Sequence, residues 1–278
     1  MTSTYHFSIF VSLLLLSFLL NPTSATPRKL FSLVQEQPLI LKYHNGPLLK
    51  GNITLNLVWY GNFSPIQRSI LVDFLQSLNS HTTTPHSVSS WWQTIQKYKG
   101  VSCTLAVGNQ ILDEDYSLGK SLRSSDIISL ASRSNQRSEI TVVFTSADVA
   151  VEGFCMSRCG THGSTQSKWA YAWWTPPLVS PNGDVGIDGM LINLATVLAG
   201  TVTNPFDNGY FQGSASAPLE AVTACTGIFG TGAYPGYPGE VLADGTTGAS
   251  YNAVGVDGRK YLLPAMWDPQ TSTCKTLV

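Results

Sequence analysis

Residues Pro181 to Gly213 read PNGDVGIDGMLINLATVLAGTVTNPFDNGYFQG, the layout of one buried helix between two tight turns. Asn182-Gly183-Asp184 and Asp188-Gly189 are turn signals. Met190 to Leu198 is almost wholly apolar, Gly200 weakens the helix, and Asn204-Pro205 cannot continue it. The spacing predicts a helix over 189–200 that carries no His, Glu, Asp, Lys or Cys. It reads as a packing element without chemistry of its own.

Upstream, Thr54 to Tyr60 alternates and is rich in β-formers, which predicts a strand. Ser64 is an N-cap residue, Pro65 suits the first helical position, and Ile66, Ile70, Phe74 and Leu78 recur every four residues on an amphipathic helix. Ser87 or Ser89 caps a second helix through Trp91, Trp92, Ile95 and Tyr98. Val101–Val107, Glu139–Thr145 and Trp169–Trp174 read as further strands, and Ser124 or Ser125 opens a helix through Ile127, Ile128 and Leu130. Beyond Pro205 the chain is rich in Gly, Tyr and Pro, with short strands near 249–254. The order β-α-α-β-α-β-β-α predicts an α/β fold: a single domain with a mixed sheet flanked by helices and a loop-rich C-terminal part.

Ile9 to Leu20 is an apolar run too short to span a bilayer, which takes ~20 apolar residues. Thr23-Ser24-Ala25 supplies small residues for cleavage after Ala25, so residues 1–25 read as a secretory signal peptide. A lead-in over 26–45 and one domain over 46–278 follow. No later segment reads as a membrane span. Asn52-Ile53-Thr54 and Asn62-Phe63-Ser64 are glycosylation sequons, one before and one after the first strand. The 16 basic and 17 acidic residues among 278 give a net charge of −1. No basic cluster exists to neutralise phosphates, which argues against nucleic acid as a partner. Five cysteines, Cys103, Cys155, Cys159, Cys225 and Cys274, leave at least one unpaired within the chain, and spacing does not give the connectivity.

The runs YHNGPLLKGNITLNLVWYGNFSPIQRSI, SVSSWWQTIQKY, LDEDYSLGKSL, CMSRCGTHGS and PNGDVGIDGM through GYFQG, with the tail GAYPGYPGEVLADGTTGASYNAVGVDGRKYLLPAMWDP, closely resemble the Exordium / phosphate-induced protein family of plants. The resemblance implies a secreted protein of the apoplast or cell wall, tied to cell expansion and to brassinosteroid and nutrient responses. Its partner would be a wall polysaccharide or an apoplastic protein. It implies no catalytic activity and no cofactor. Members usually carry a Cys-Pro-x-x-Cys segment after the strand at Ala170–Trp173; here Trp173-Trp174 runs straight into Thr175-Pro176. Two expected cysteines are thus missing, which puts the pairing of Cys155, Cys159, Cys225 and Cys274 in doubt.

Cys155-x3-Cys159-x2-His162 offers three ligand types for zinc, but structural zinc sites need four, and disulfides are the better default after export. Gly160 and Gly163 mark a turn, so His162 reads as a loop histidine and no metal is expected. The helix 189–200 followed by Thr203-Asn204-Pro205 is similar to the zincin layout, a mixed sheet backed by a His-Glu-x-x-His helix. Those positions fall on Thr196, Val197 and Gly200, none a zinc ligand. An ordinary core helix and a zincin-like scaffold lacking its metal both stand. Asp113-Glu114-Asp115 reads as a solvated loop; Asp184, Asp188, Asp207 and Glu220 are the other candidates for a carboxylate pair, with Asp184 and Asp188 serving turns. Ser117 and Ser250 each sit beside a tyrosine with no His partner in view. Tyr234 and Tyr237, in a Pro/Gly loop, are the best candidates for stacking on a sugar ring. The expected activity is binding, with an extracellular hydrolase using loop carboxylates as the alternative.

Overall fold

A computed structural model describes residues 39–80, 84–133, 139–153, 160–164, 168–172, 180–214 and 217–278. Its centre is a five-stranded sheet of β1 (Lys50–Tyr60), β2 (Ser102–Asp113), β3 (Glu139–Thr145), β4 (Gly160–Ser164) and β5 (Lys168–Ala172). The spatial order is β2-β1-β3-β5-β4. Four strands are parallel, and β4 lies antiparallel to β5 at the edge.

Among the described residues, four α-helices accompany it: α1 (Pro65–Ser77), α2 (Val88–Trp92), α3 (Ser124–Ser132) and α4 (Val185–Thr203). Parallel strands need crossover connections, and helices pack on both sheet faces as a result. Leu55, Leu57 and Trp59 of β1 join the larger core with Ile70 and Phe74 of α1, Trp91 of α2 and Leu194 and Leu198 of α4. Val58 and Tyr60 face the other way, to Ile127 and Leu130 of α3. Leu55 and Leu57 are fully buried, and burial of such a side chain contributes about 1.5–3 kcal/mol.

Local sequence explains the helix starts. Ser64 Oγ accepts from the Gln67 amide (3.2 Å), and Gln67 Oε1 accepts from the Ser64 amide (2.9 Å), a reciprocal cap on α1. Pro65 follows at the first helical position. Ile66 departs from the expected apolar face: it is 69% exposed, and Ile70, Leu71, Phe74 and Leu75 carry the buried stripe. Asp184 caps α4 by accepting from the Ile187 amide (3.0 Å). That cap starts α4 at Val185, four residues before the expected Gly189. Asp188-Gly189 is therefore helix, not turn. Gly200 does not end the helix either; it runs to Thr203 and stops at Asn204-Pro205.

Two strands are longer than their β-former runs. β1 begins at Lys50, so Asn52 lies on the strand and not in a turn before it, while β2 continues to Asp113. A register shift between Leu55 and Leu57 absorbs an extra residue of β2, where Gly108 leaves room for the side chains of Thr54 and Asn56. β2 forms a sheet edge, and Asn79 seals part of it. The Leu105 amide donates to Asn79 Oδ1 (3.2 Å), and Asn79 Nδ2 donates back to the Leu105 carbonyl. β4 was not expected as a strand. For the Trp169–Trp174 strand, β5 covers Lys168–Ala172, and residues 173 and 174 lie outside the described ones.

The loop-rich C-terminal part consists of small two-stranded ladders, among them 250–251 on 242–243 and 266–268 on 273–275. Lys42–Tyr43 pairs antiparallel with Tyr210–Phe211. The one described helix long and apolar enough to cross a membrane is α4, and it is mostly buried in the core.

Candidate functional site

The chain leaves β1 toward β2 on one side and later adds β3 on the other. The carboxyl ends of β1 and β3 therefore flank a switch point, the place where open α/β sheets hold ligands. A cleft of about 150 Å³ sits there. Gly61 makes the turn out of β1 with φ +95°, and a Cβ on it would fall 1.9 Å from Ser146 Oγ. Only glycine lets these two strand ends close together.

Polar atoms come from four segments. Asn62 lies at the exit of β1 and Ser146 at the exit of β3, while Gln67 and Asp184 come from the starts of α1 and α4. Gln67 Nε2 donates to Asp184 Oδ2 (2.8 Å), tying the two helix starts together. Phe63, Ile187 and Met190 provide an apolar wall. Among the described residues, no lysine or arginine lines the cleft. On the rim, Asn62 Nδ2 donates to Tyr116 Oη (3.1 Å), and Tyr116 Oη donates to Asp148 Oδ2 (2.7 Å). Lys120 and Ser146 also donate to Asp148 (both 2.6 Å), and hydrogen bonds from these groups hold its carboxyl well below the usual range.

A second polar cluster lies at the far end of α4. His162, expected in a loop, is on edge strand β4. Its Nε2 contacts both Glu220 oxygens (3.0 and 2.9 Å), and both side chains are 10% exposed. Asn204 Nδ2 donates to Glu220 Oε1 (2.7 Å), and Asn204 Oδ1 accepts from the Gly209 amide. Burial disfavours charge on the imidazole, yet the Glu220 hydrogen bond and the charges of Glu220 and Asp207 outweigh it and raise its pKa. Gly200 faces this pair: a Cβ there would lie 2.5 Å from Glu220 Oε2 and 2.9 Å from His162 Nε2. Thr196 Oγ1 is spent on the Ile192 carbonyl (2.8 Å). Among the described residues, no group of three His, Cys, Asp or Glu is placed to hold a metal ion.

The other candidates fall apart in space or into structural roles. Asp113 is not solvated: it ends β2 buried and accepts from Arg133 Nη1 (2.7 Å), the Ser117 amide (2.9 Å) and the Ser117 hydroxyl. Burial works against its charge, but these partners lower its pKa. Glu114 and Asp115 are exposed. Asp188, inside α4, accepts from Ser180 and Asn182, and burial raises its pKa against those bonds. Asn52 and Asn62 are both exposed. Tyr234 and Tyr237 face each other on a hairpin. Cys225 is bonded to Cys274; Cys103 is free and buried, and burial pushes its thiol up to about 11. Cys155 and Cys159 lie outside the described residues. Sequence reasoning missed the cleft altogether. Its one visible signal was the pair of cap residues, Ser64 and Asp184, each following a strand or turn.

The phosphate-induced protein 1 conserved region matches residues 41–175 and 169–277, nearly everything after the N-terminal segment. The chain belongs to this family. The family match comes in two pieces that meet at 169–175, where Trp173-Trp174 runs directly into Thr175-Pro176. Among relatives, Protein EXORDIUM-like 2 of Arabidopsis thaliana is 57% identical with full coverage of both chains, over 313 aligned positions. Since this chain has 278 residues, 313 − 278 = 35 of those positions have no counterpart in it. Protein PHOSPHATE-INDUCED 1 of Nicotiana tabacum is 52% identical over 90% of this chain and 93% of its own. Protein EXORDIUM of Arabidopsis thaliana is 49% identical over 98% of each. No solved structure matches this family member.

Proposed function

We propose that this is an exported protein of the plant apoplast or cell wall that serves cell expansion, in the setting of brassinosteroid and nutrient responses, by binding a neutral, hydroxyl-rich wall ligand. The carrying observation is the composition of the cleft between β1, β3 and the starts of α1 and α4. It offers amide and hydroxyl groups (Asn62, Gln67, Ser146) beside an apolar wall, and Asp184, the one carboxylate on it among the described residues, is already engaged as a helix cap. That mixture suits one sugar residue, whose hydroxyls need hydrogen bonds and whose ring face needs apolar contact. The volume, well under the ~300 Å³ of pockets for larger ligands, fits a chain end or single side unit. Export is supported by the signal-like N-terminus, the exposed sequon at Asn52, and the Cys225–Cys274 disulfide.

A zincin-like ancestry accounts for a mixed sheet backed by α4 and for Thr203-Asn204-Pro205. On that reading the last ligand position is Gly200, and the His162–Glu220 pair fills the space above it. The same pair favours a second reading, a hydrolase, because an imidazole and a carboxylate do converge there. Binding of wall oligosaccharides to the purified mature chain separates the two. Gly186→Phe places a ring at the mouth of the cleft, where a new Cβ meets only Asp184 Oδ1 at 3.4 Å. It is expected to abolish binding without lowering the melting temperature. Release of cleaved product, lost in Glu220→Gln and kept in Gly186→Phe, would overturn the binding reading.

A further inference from the structure

We propose that Tyr234 and Tyr237 form an oxidative coupling site, in which a peroxide-driven peroxidase joins the two rings within one molecule. The chain reverses at Pro235-Gly236, and the flanking tyrosines exchange backbone hydrogen bonds, Tyr234 N–H to the Tyr237 carbonyl (3.0 Å) and the reverse (2.8 Å). Proline restricts the first turn position and Gly236 takes φ +92°, a conformation that suits glycine in the second. Residues directly opposite on such a hairpin place their side chains together. Here the ring centroids are 5.1 Å apart with an interplanar angle of 37°.

Exposure separates this pair from the other tyrosine pairs. Tyr234 and Tyr237 are 65% and 37% exposed. Tyr43–Tyr210, Tyr98–Tyr210 and Tyr60–Tyr116 are also ring contacts, but each contains a buried ring, Tyr210, Tyr98 or Tyr60. Among the described residues, Tyr234–Tyr237 is the tyrosine pair that a bulky oxidant can reach on both sides.

The chemistry needs only the peroxidase and hydrogen peroxide. Each phenol gives up one electron and its O–H proton, leaving two phenoxyl radicals. The radicals combine through ring carbons ortho to oxygen, forming one C–C bond, and the two displaced ring hydrogens move to the oxygens as the rings regain aromaticity. The protein loses two hydrogens in all, and one peroxide takes them up to become two waters. Because the turn holds the second radical beside the first, coupling within the molecule outruns encounter between molecules. This site is independent of what the cleft binds.

The test treats the full mature chain with peroxidase and hydrogen peroxide. The expected product is a monomer lighter by two hydrogens, with dityrosine fluorescence and the change confined to the segment holding residues 234–237. Tyr237→Phe is expected to remove that product. Gly236→Ala keeps both phenols but strains the turn, and is expected to lower the intramolecular yield about tenfold. The proposal is overturned if 234 and 237 stay unmodified while other tyrosines react, if only cross-linked dimers form, or if Gly236→Ala leaves the yield unchanged.

Discussion

Gly200→Ala puts two opposed effects on one atom. Alanine in a helix interior is better than glycine by about 1 kcal/mol, so on propensity alone the variant gains stability. The new Cβ, however, would lie 2.5 Å from Glu220 Oε2 and 2.9 Å from His162 Nε2. Contacts that close do not persist, so one partner must move. Glu220 is held by Asn204 Nδ2, and its own amide donates to Thr223 Oγ1 (2.7 Å). The His162–Glu220 pair therefore breaks. Separating a buried ion pair costs about 3–5 kcal/mol, which leaves a net loss of about 2–4 kcal/mol after the propensity gain. At ~2–4 °C per kcal/mol for a chain of this size, the melting temperature is expected to fall by at least about 4 °C. Urea unfolding of the purified protein measures the free-energy loss and a thermal melt the shift in midpoint. The decisive comparison is the same change in a His162→Ala background, where no pair is left to break and the missing ring gives Glu220 room to move off the new Cβ, so Gly200→Ala is expected to cost much less than in the wild type. A gain of stability from Gly200→Ala in the wild-type background would refute the reasoning, since the pair would then not depend on the missing Cβ.

Other expectations follow from single contacts. The folded-state pKa of His162 is raised, so its stabilising contribution is complete below the unfolded value of about 6.5 and is lost as pH rises through the higher folded value. His162→Gln is expected to flatten that slope in melting curves taken from mildly acidic to mildly alkaline pH. Removing the Cys225–Cys274 disulfide, which spans 49 residues, with Cys225→Ser/Cys274→Ser is expected to cost about 4 kcal/mol by loop entropy, read by denaturant unfolding. Cys103, buried with its thiol pushed up to about 11, is expected to resist alkylation in native protein and to react once denaturant is added, as followed by mass spectrometry. Arg133→Met leaves Asp113 buried without its cation and is expected to destabilise by about 1–3 kcal/mol, measured by the same unfolding assay.

The parts of the fold that were legible in sequence are those specified locally. Ser64 and Pro65 announce α1 just ahead of its apolar spacing, and the apolar run of β3 needs no distant partner to be seen. The length of β1 and β2 was harder, because Lys50 to Ile53 and Gly108 to Gln110 become strand only by pairing with each other's neighbours. His162 was misread for a related reason. Glycines at 160 and 163 weaken any strand signal, and only antiparallel pairing with β5 makes the segment extended. Its partner Glu220 lies 58 residues away, beyond any periodicity. The cleft was invisible because it is an arrangement of strand exits and helix starts, not a motif. Asp113 and Asp188 show the converse. Polar side chains that looked like surface are buried because Arg133, Ser117, Ser180 and Asn182 come to meet them.

The amide of Asn79 occupies the outward hydrogen-bonding groups of Leu105 on the long border strand β2. An uncovered strand of this length is a template on which a second molecule can extend the ladder. The side chain acts as a stopper, matching donor and acceptor as a neighbouring backbone would. Wherever copies of the chain meet, that stretch of the border is already taken and offers a visiting strand no free amide or carbonyl at Leu105.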